Sequence, residues 1–267
     1  MFRQAVIGLV FLPGLAWAQA CTEAEGSGAA YGAISPAQAE RVAKDEARAK
    51  VIANVAGVQI EAQTLVQDVT FGAAFKIAAS RGITYNEKWT RLPPKAIEVA
   101  GSAALEVRFK LCAQVKQLGK RAPAIVAELT KMTIVEGEPL KLRIESPAEA
   151  HVGVYALGAD DKIVRLYPGT RTVKPVPADE ELFLPPRGEE WSSAPLPGNS
   201  RDGEALIVLA SSRPLPFTAL VRAQAGESVA ETMKRAVPVD QFWNALAEQD
   251  LDRITLRVLP YEVQRRK

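Results

Sequence analysis

Short segments in which apolar and charged residues alternate recur through residues 131–263, and Pro and Gly residues separate them. In "EPLKLRIE", residues 138–145, leucine and isoleucine occupy every second position, which is the pattern of a strand with one buried face. "EALIVLAS", residues 204–211, is apolar on both faces and is therefore predicted to lie at the centre of a sheet. Regular short strands with turns between them indicate a β-sandwich or a small barrel.

The segment 150–170, "AHVGVYALGADDKIVRLYPGT", is predicted to form two strands joined by a turn at 159–161. It contains His151, which is the single histidine of the chain. Alternation places His151 opposite the valine side chains of its strand. We therefore predict a bystander on the outer face of the sheet, with no catalytic or metal-binding role.

The C-terminal part is predicted to add helices and a last strand to this region. Two helical stretches, 228–235 and 239–249, are separated at Pro238, and "RITLRVLPYEV", residues 253–263, again alternates. We expect that strand to rejoin the sheet. Three apolar side chains should pack the preceding helix onto it: Phe242, Trp243 and Leu246.

The N-terminal region is predicted to place one helix over a small antiparallel sheet. Residues 22–34, "TEAEGSGAAYGAI", are small and Gly-rich, and we expect them to be flexible. Ser35 and Pro36 supply an N-cap and a first-turn proline for a helix that Gly57 ends. A stripe of small residues is expected to face the sheet: Ala39, Val42, Ala43 and Ala47.

Two charged residues of this helix, Glu46 and Lys50, interrupt its apolar stripe. Alternation then predicts strands near 58–67, 75–79 and 104–115. A polar loop is predicted through "NEKWTRLPPK", which begins at Asn86 and ends at Lys95.

The predicted fold class is α+β, with an N-terminal helix-on-antiparallel-sheet domain followed by a mainly-β, sandwich-like domain with C-terminal helices. The predicted organisation has five parts: signal peptide 1–20, flexible segment 21–34, small α+β domain 35–116, linker 117–130, and β-rich domain 131–263.

The first residues, "MFRQAVIGLVFLPGLAWAQAC", have the pattern of a secretory signal peptide. A basic start at Arg3 precedes a short apolar run, a Pro-Gly break and small residues. Cleavage is predicted after Ala18 or after Ala20. The run is well short of the roughly 20 apolar residues that a membrane-spanning helix needs. We therefore expect export to the periplasm or to an outer-membrane-associated position.

The two cysteines, Cys21 and Cys112, allow two interpretations. A cleaved chain that begins at Cys21 could carry a lipid anchor there, although Ala18 stands where the lipoprotein motif usually has leucine. Alternation in "ALEVRFKLCAQV", residues 104–115, places Cys112 on the polar face of a strand. A disulfide from Cys112 to Cys21 would tie down the N-terminal segment in an oxidising compartment.

The composition argues against several classes of chemistry. The 33 Lys and Arg residues nearly balance the 31 Asp and Glu residues, and no basic block or basic aromatic stripe indicates nucleic-acid binding. One histidine and two distant cysteines cannot build a multi-histidine or CxxC zinc site. The acidic groups at 160–161, 179–181 and 189–190 fall in turn or Pro-rich segments, where solvated side chains are expected. We predict no enzyme activity, no cofactor and no metal site.

Two parts of the chain resemble known families. The Ala-rich charged helix followed by alternating β segments is similar, over about 85 residues, to the N-terminal domain of flagellar assembly protein T. "VEGEPLKLRIES", "AHVGVYALGADDKIVRLYPG", "LFLP", "APLPG" and "EALIVLASSRPL" resemble the bacterial domain of unknown function 4384 over residues 131–222. These resemblances imply an exported envelope protein with an accessory, partner-contacting β-domain and no catalytic residues.

The Pro-rich stretch 166–203 is the predicted contact region. Extended Pro-rich segments lose little entropy on binding, and Tyr, Trp and Arg are frequent interface anchors. Four side chains are the candidates: Tyr167, Arg187, Trp191 and Arg201. The alternative is that the prolines only stiffen connections over the sandwich.

The function predicted from the sequence is that of a non-enzymatic exported envelope protein, an assembly or accessory factor for a secretion or surface structure that binds other envelope proteins. The alternatives are a module that binds polysaccharide or a small ligand, or an accessory subunit of an envelope peptidase.

Overall fold

The computed structural model describes residues 21–32, 34–57, 81–119, 121–168, 175–215 and 236–266. The predicted signal peptide, the strands predicted near 58–67 and 75–79, and the helix predicted at 228–235 lie outside these residues. Within the described part the predicted fold class is confirmed, because one long helix packs on an antiparallel sheet and a mainly-β sandwich follows.

The N-terminal unit contains helix α1 (Pro36–Ala56) and three strands: β1 (Thr22–Ala30), β2 (Gly82–Val99) and β3 (Ser102–Gln117). The strands are antiparallel in the order β1-β3-β2. Ser35 caps α1 as predicted, since its Oγ accepts from the Gln38 backbone while the Gln38 side chain accepts from the Ser35 backbone. Gly57 ends the helix with φ 68°.

Strand β1 corrects the prediction that residues 22–34 are flexible. A Cβ at Gly26 would lie 1.9 Å from the carbonyl oxygen of Ala43, and one at Gly28 would lie 2.0 Å from that of Ala39. The glycines therefore let the backbone of β1 approach the backbone of α1. The small residues that indicated flexibility serve close packing instead.

The free edge of β1 explains why Glu46 and Lys50 interrupt the apolar stripe of α1. The backbone N–H of Ser27 donates to Glu46 Oε2 at 2.6 Å, and Lys50 Nζ donates to the carbonyl oxygen of Glu25 at 3.0 Å. Lys50 and Glu46 also form an ion pair at 2.9 Å. The two side chains thus satisfy backbone groups that an edge strand leaves unpaired.

Strand β2 corrects the predicted polar loop at 86–95, because residues 88–92 and Lys95 pair with β3. The ladder is interrupted by register shifts between Tyr85 and Lys88 and between Leu92 and Lys95. Proline cannot donate to a ladder and is tolerated at bulges and on edge strands, and β2 is both bulged and an edge strand of this sheet.

In its described residues, the second unit contains helix α2 (Val239–Ala247), a 3₁₀ helix (Leu251–Arg253) and nine strands. The strands are β4 (Val126–Leu129), β5 (Thr133–Val135), β6 (Leu142–Glu145), β7 (His151–Leu157), β8 (Lys162–Tyr167), β9 (Glu181–Leu184), β10 (Arg201–Ser211), β11 (Val237–Pro238) and β12 (Ile254–Gln264).

These strands form a six-stranded sheet, β11-β8-β7-β10-β12-β5, and a three-stranded sheet, β4-β6-β9. The prediction that residues 204–211 lie centrally is confirmed, since β10 pairs with β7 and β12. The last strand rejoins the sheet as expected. The predicted linker 117–130 is corrected, because its final residues form β4 and pair with β6.

Each face of the six-stranded sheet is covered. One face packs on the three-stranded sheet, through residues such as Val154, Leu206 and Ile144. The other packs on α2, whose Phe242, Trp243 and Leu246 are buried as predicted. The face that His151 shares with Tyr155 and Leu157 is therefore not an outer face, which corrects that part of the prediction.

Helix α1 and strand β3 connect the two units through polar contacts. Gln38 Nε2 donates to the Arg201 carbonyl oxygen at 2.9 Å, and Arg41 Nη1 donates to that of Gly203 at 3.0 Å. Lys116 Nζ donates to two carbonyl oxygens at the end of α2, at 2.5 and 2.7 Å. Helix α1 thus packs on its own sheet and also contacts the sandwich. Because both of its sides are covered, charged residues on both sides of the helix are buried.

Candidate functional site

The predicted disulfide between Cys21 and Cys112 is present, with a Cα–Cα distance of 5.4 Å. The alternation of β3 places Cys112 on the face away from α1, beside Glu23 in the ladder. Among the described residues, one set of potential metal ligands lies close enough together to hold an ion. It consists of Cys21, Glu23 and Cys112. Both sulfur atoms are bonded to each other, so neither is available as a thiolate ligand.

His151 is half-buried at the start of β7 and lies opposite Ser211 of β10. Ser211 Oγ accepts from the backbone of Arg213. Within the described ranges, the imidazole has no hydrogen-bond partner and no ion pair.

Trp191, predicted to anchor a partner, lies in the core of the sandwich with 4% of its surface exposed. The carbonyl oxygen of Trp191 accepts from the Leu140 backbone N–H at 2.7 Å, and Ser192 forms an isolated antiparallel β-bridge with Pro139. The Pro-rich segment is thus held against the sandwich by backbone contacts. A buried indole is not accessible to a partner, and the prediction for Trp191 is corrected.

The other three predicted contact residues lie on separate segments. Tyr167 is half-buried at the end of β8, and Arg187 is exposed in the turn after β9. Arg201 is half-buried at the start of β10, where its Nη1 lies 3.7 Å from Glu262 Oε2. Because β9 belongs to a different sheet from β8 and β10, these side chains do not follow one continuous loop. Their part in binding stays a prediction.

A buried charged cluster lies between α1 and β2. Arg48 holds Glu87 through two hydrogen bonds, of 2.9 and 3.0 Å, and Thr84 Oγ1 and Trp89 Nε1 also donate to that carboxylate. Burial alone would raise the pKa of Glu87, but Arg48 and these hydrogen bonds lower it. The four hydrogen bonds that this carboxylate accepts make it a structural group that fixes β2 to the helix.

Asp45 is the member of this cluster with one unsatisfied carboxylate oxygen. Its Oδ1 accepts from Arg48 at 3.2 Å, whereas its Oδ2 is buried and has no hydrogen-bond partner in the described part of the chain. Burial raises the pKa of Asp45 to about 6, although Arg48 and Arg41 act in the opposite direction.

A further buried carboxylate, Glu204, lies inside the sandwich. Its Oε2 accepts from Ser193 Oγ at 2.6 Å and from the Tyr261 hydroxyl at 2.8 Å. All three residues are buried, and burial raises the pKa of Glu204. The arrangement satisfies polar groups in the core. No sequence pattern predicts this arrangement, because the three residues are separated along the chain.

The outer face of the three-stranded sheet is exposed and combines apolar and acidic side chains. We call it the outer sheet face, and it consists of six residues: Val126, Glu128, Arg143, Glu145, Glu181 and Phe183. Phe183 is 63% exposed and Val126 49%. Their strand neighbours Leu142, Ile144 and Leu184 point into the core.

Arg143 lies at the centre of this face. The register places Glu128 on one side of it and Phe183 on the other. Its guanidinium lies 3.1 Å from Glu145, 3.1 Å from Glu181 and 4.0 Å from Glu128. One cation is therefore shared among three carboxylates, which leaves the face acidic.

Phe183 was missed at the sequence level, although a signal was present. In "ELFL", residues 181–184, the two leucines alternate with Glu181 and Phe183. If the leucines face the core, Phe183 must face outward. The exposed Phe183, together with Val126 on the other edge strand, makes this face a candidate contact surface.

No protein-family model matches the chain, and no curated protein matches it. Among the described residues, no helix combines the length and apolar character needed to cross a membrane.

Proposed function

We propose that the protein is a non-enzymatic, exported cell-envelope protein that binds other proteins, as an assembly or accessory factor for a secretion or surface structure. The observation that carries the proposal is the outer sheet face, where Phe183 and Val126 are exposed on a rigid sheet. Apolar side chains held at the surface by an ordered sheet favour protein contacts.

Export to the periplasm or the outer membrane is supported by two features. The disulfide Cys21–Cys112 is of the kind that persists in an oxidising compartment. The N-terminal pattern of a basic residue, an apolar run and small residues supports a signal peptide. The resemblance to the domain of unknown function 4384 agrees with an envelope role.

A non-catalytic role is supported by the surroundings of the buried carboxylates. Glu87 is held by Arg48, and Glu204 by a serine and a tyrosine inside the core. These carboxylates are held by core hydrogen bonds and are not directed to a surface where a substrate could bind. His151 lies on another strand, away from both.

The test is retention of partners by the full chain, immobilised through a C-terminal tag. We expect envelope extract to yield a defined protein that binds again, at fixed stoichiometry, when both components are purified. Retention on purified cell-wall polysaccharide with no protein partner would contradict the proposal. So would a measured turnover that His151→Ala abolishes.

A further inference from the structure

We propose that the outer sheet face binds a basic polypeptide segment that presents an apolar side chain between Lys or Arg residues. This inference rests on the proposed function and names the chemistry of the partner. It is argued from the apolar exposure of the face, its charge and its geometry.

The apolar component is Phe183, with Val126 on the opposite edge strand. The outward direction of Phe183 is fixed, since Leu182 packs partly and Leu184 fully against the core. A ring that is already held in one position loses little conformational entropy on binding, and aromatic residues are common interface anchors. An apolar side chain of the partner would cover this ring.

The charge of the face selects the partner. Three carboxylates surround one guanidinium, so the face carries three negative charges and one positive, a net charge of −2. The segments on either side of β9 extend this field, because they carry one exposed cation, Arg187, against four exposed acidic residues: Asp179, Glu180, Glu189 and Glu190. Lys or Arg side chains of a partner would pair with carboxylates that Arg143 cannot neutralise.

The same charge argues against other occupants. A second copy docked face to face would bring six carboxylates together against two guanidiniums, which is repulsive. Nucleic acid and anionic lipid would be repelled as well. The edge of β9 is a poor site for strand addition, since the strand is short and Pro185 and Pro186 follow it. Binding is therefore assigned to the face and not to the edge.

The test uses the full chain and two dye-labelled peptides, measured by fluorescence anisotropy at low and high salt. One peptide alternates Lys with Leu and Phe, and the other has Glu at every Lys position. We expect the wild type to bind the Lys peptide and not the Glu peptide, with affinity that falls as salt rises.

Two variants probe the face directly. Phe183→Ser and the double variant Glu145→Gln/Glu181→Gln should each weaken binding of the Lys peptide by about tenfold or more. Two matched controls lie on the exposed end of the β2–β3 hairpin: Leu105→Ser, at a leucine 43% exposed, and Glu98→Gln. They should change affinity by less than about twofold.

Equal binding of both peptides, an unchanged affinity in the face variants, or an equal loss in the controls would overturn the inference. A partner identified from envelope extract separates this inference from the proposed function. If that partner binds the wild type and the Phe183→Ser variant equally, protein binding stands and the assignment to this face is wrong. A partner lost with Phe183→Ser supports both.

Discussion

The unsatisfied carboxylate of Asp45 makes the stability of the protein depend on pH. Burial raises the pKa of this group from 3.8 to about 6. Each pKa unit corresponds to about 1.4 kcal/mol, so the difference between the folded and unfolded values is worth about 3 kcal/mol. Asp45→Asn keeps the size of the side chain and removes the charge.

The direction in which stability changes with pH follows from the raised pKa of Asp45. The folded state holds the proton of Asp45 more tightly than the unfolded state does, so this contribution to stability is complete below pH 3.8 and is lost as the pH rises through about 6. Arg41, Arg48 and Asp161 act on the same carboxylate, and Arg48 also pairs with Glu87. Arg48 and the hydrogen bonds from Thr84 and Trp89 lower the pKa of Glu87, the direction opposite to that of Asp45.

The assay is urea unfolding of both proteins at pH 4 and at pH 7, with the disulfide intact. We expect the free energy of unfolding of Asp45→Asn, relative to wild type, to increase by about 2 to 3 kcal/mol from pH 4 to pH 7. The raised pKa of Glu204 affects both proteins equally and cancels in this difference. Glu98→Gln, on an exposed residue, is the control and should show no such change. A difference that is independent of pH would refute the reasoning.

Three further predictions concern packing and the disulfide. Cys112→Ser opens a link between residues 91 positions apart, which should lower the free energy of unfolding by up to about 4 to 5 kcal/mol; a variant as stable as the oxidised wild type would exclude this role. Gly26→Ala inserts a methyl group 1.9 Å from the Ala43 carbonyl oxygen and should cost about 1 to 3 kcal/mol in the same assay, whereas an unchanged midpoint would show that β1 can move away from α1. Trp191→Ala should cost about 3 to 5 kcal/mol because the indole is buried, while Phe183→Ala should stay within about 0.5 kcal/mol; similar losses would contradict the assignment of one to the core and the other to the surface.

The parts of the fold that were predictable are those where one physical signal dominates. Residues 204–211 are apolar on both faces, which fits only a strand covered on both sides, and β10 is such a strand. Ser35 and Gly57 satisfy the ends of α1 through local geometry that needs no tertiary information. Alternation in β3 predicts that Cys112 lies on the polar face of the strand. That position allows the disulfide to Cys21, which is present.

The parts that were not predictable depend on contacts between distant segments. Gly26 suits a flexible segment as well as a strand, and only the approach of α1 decides between them. Trp191 lies in a Pro-rich stretch without periodicity, so its burial follows from the bonding of that stretch to Leu140. One candidate contact residue, Trp191, was expected at the surface for the same reason, while the alternation that exposes Phe183 spans only four residues.

The position of the disulfide has a mechanical consequence. Cys21 immediately precedes β1 and is bonded to β3, the central strand of its sheet. Tension applied at Cys21 therefore passes through a covalent bond into the middle of the sheet. It bypasses the hydrogen bonds of β1, which would otherwise open one after another, so a pull from this end would load the whole sheet at once.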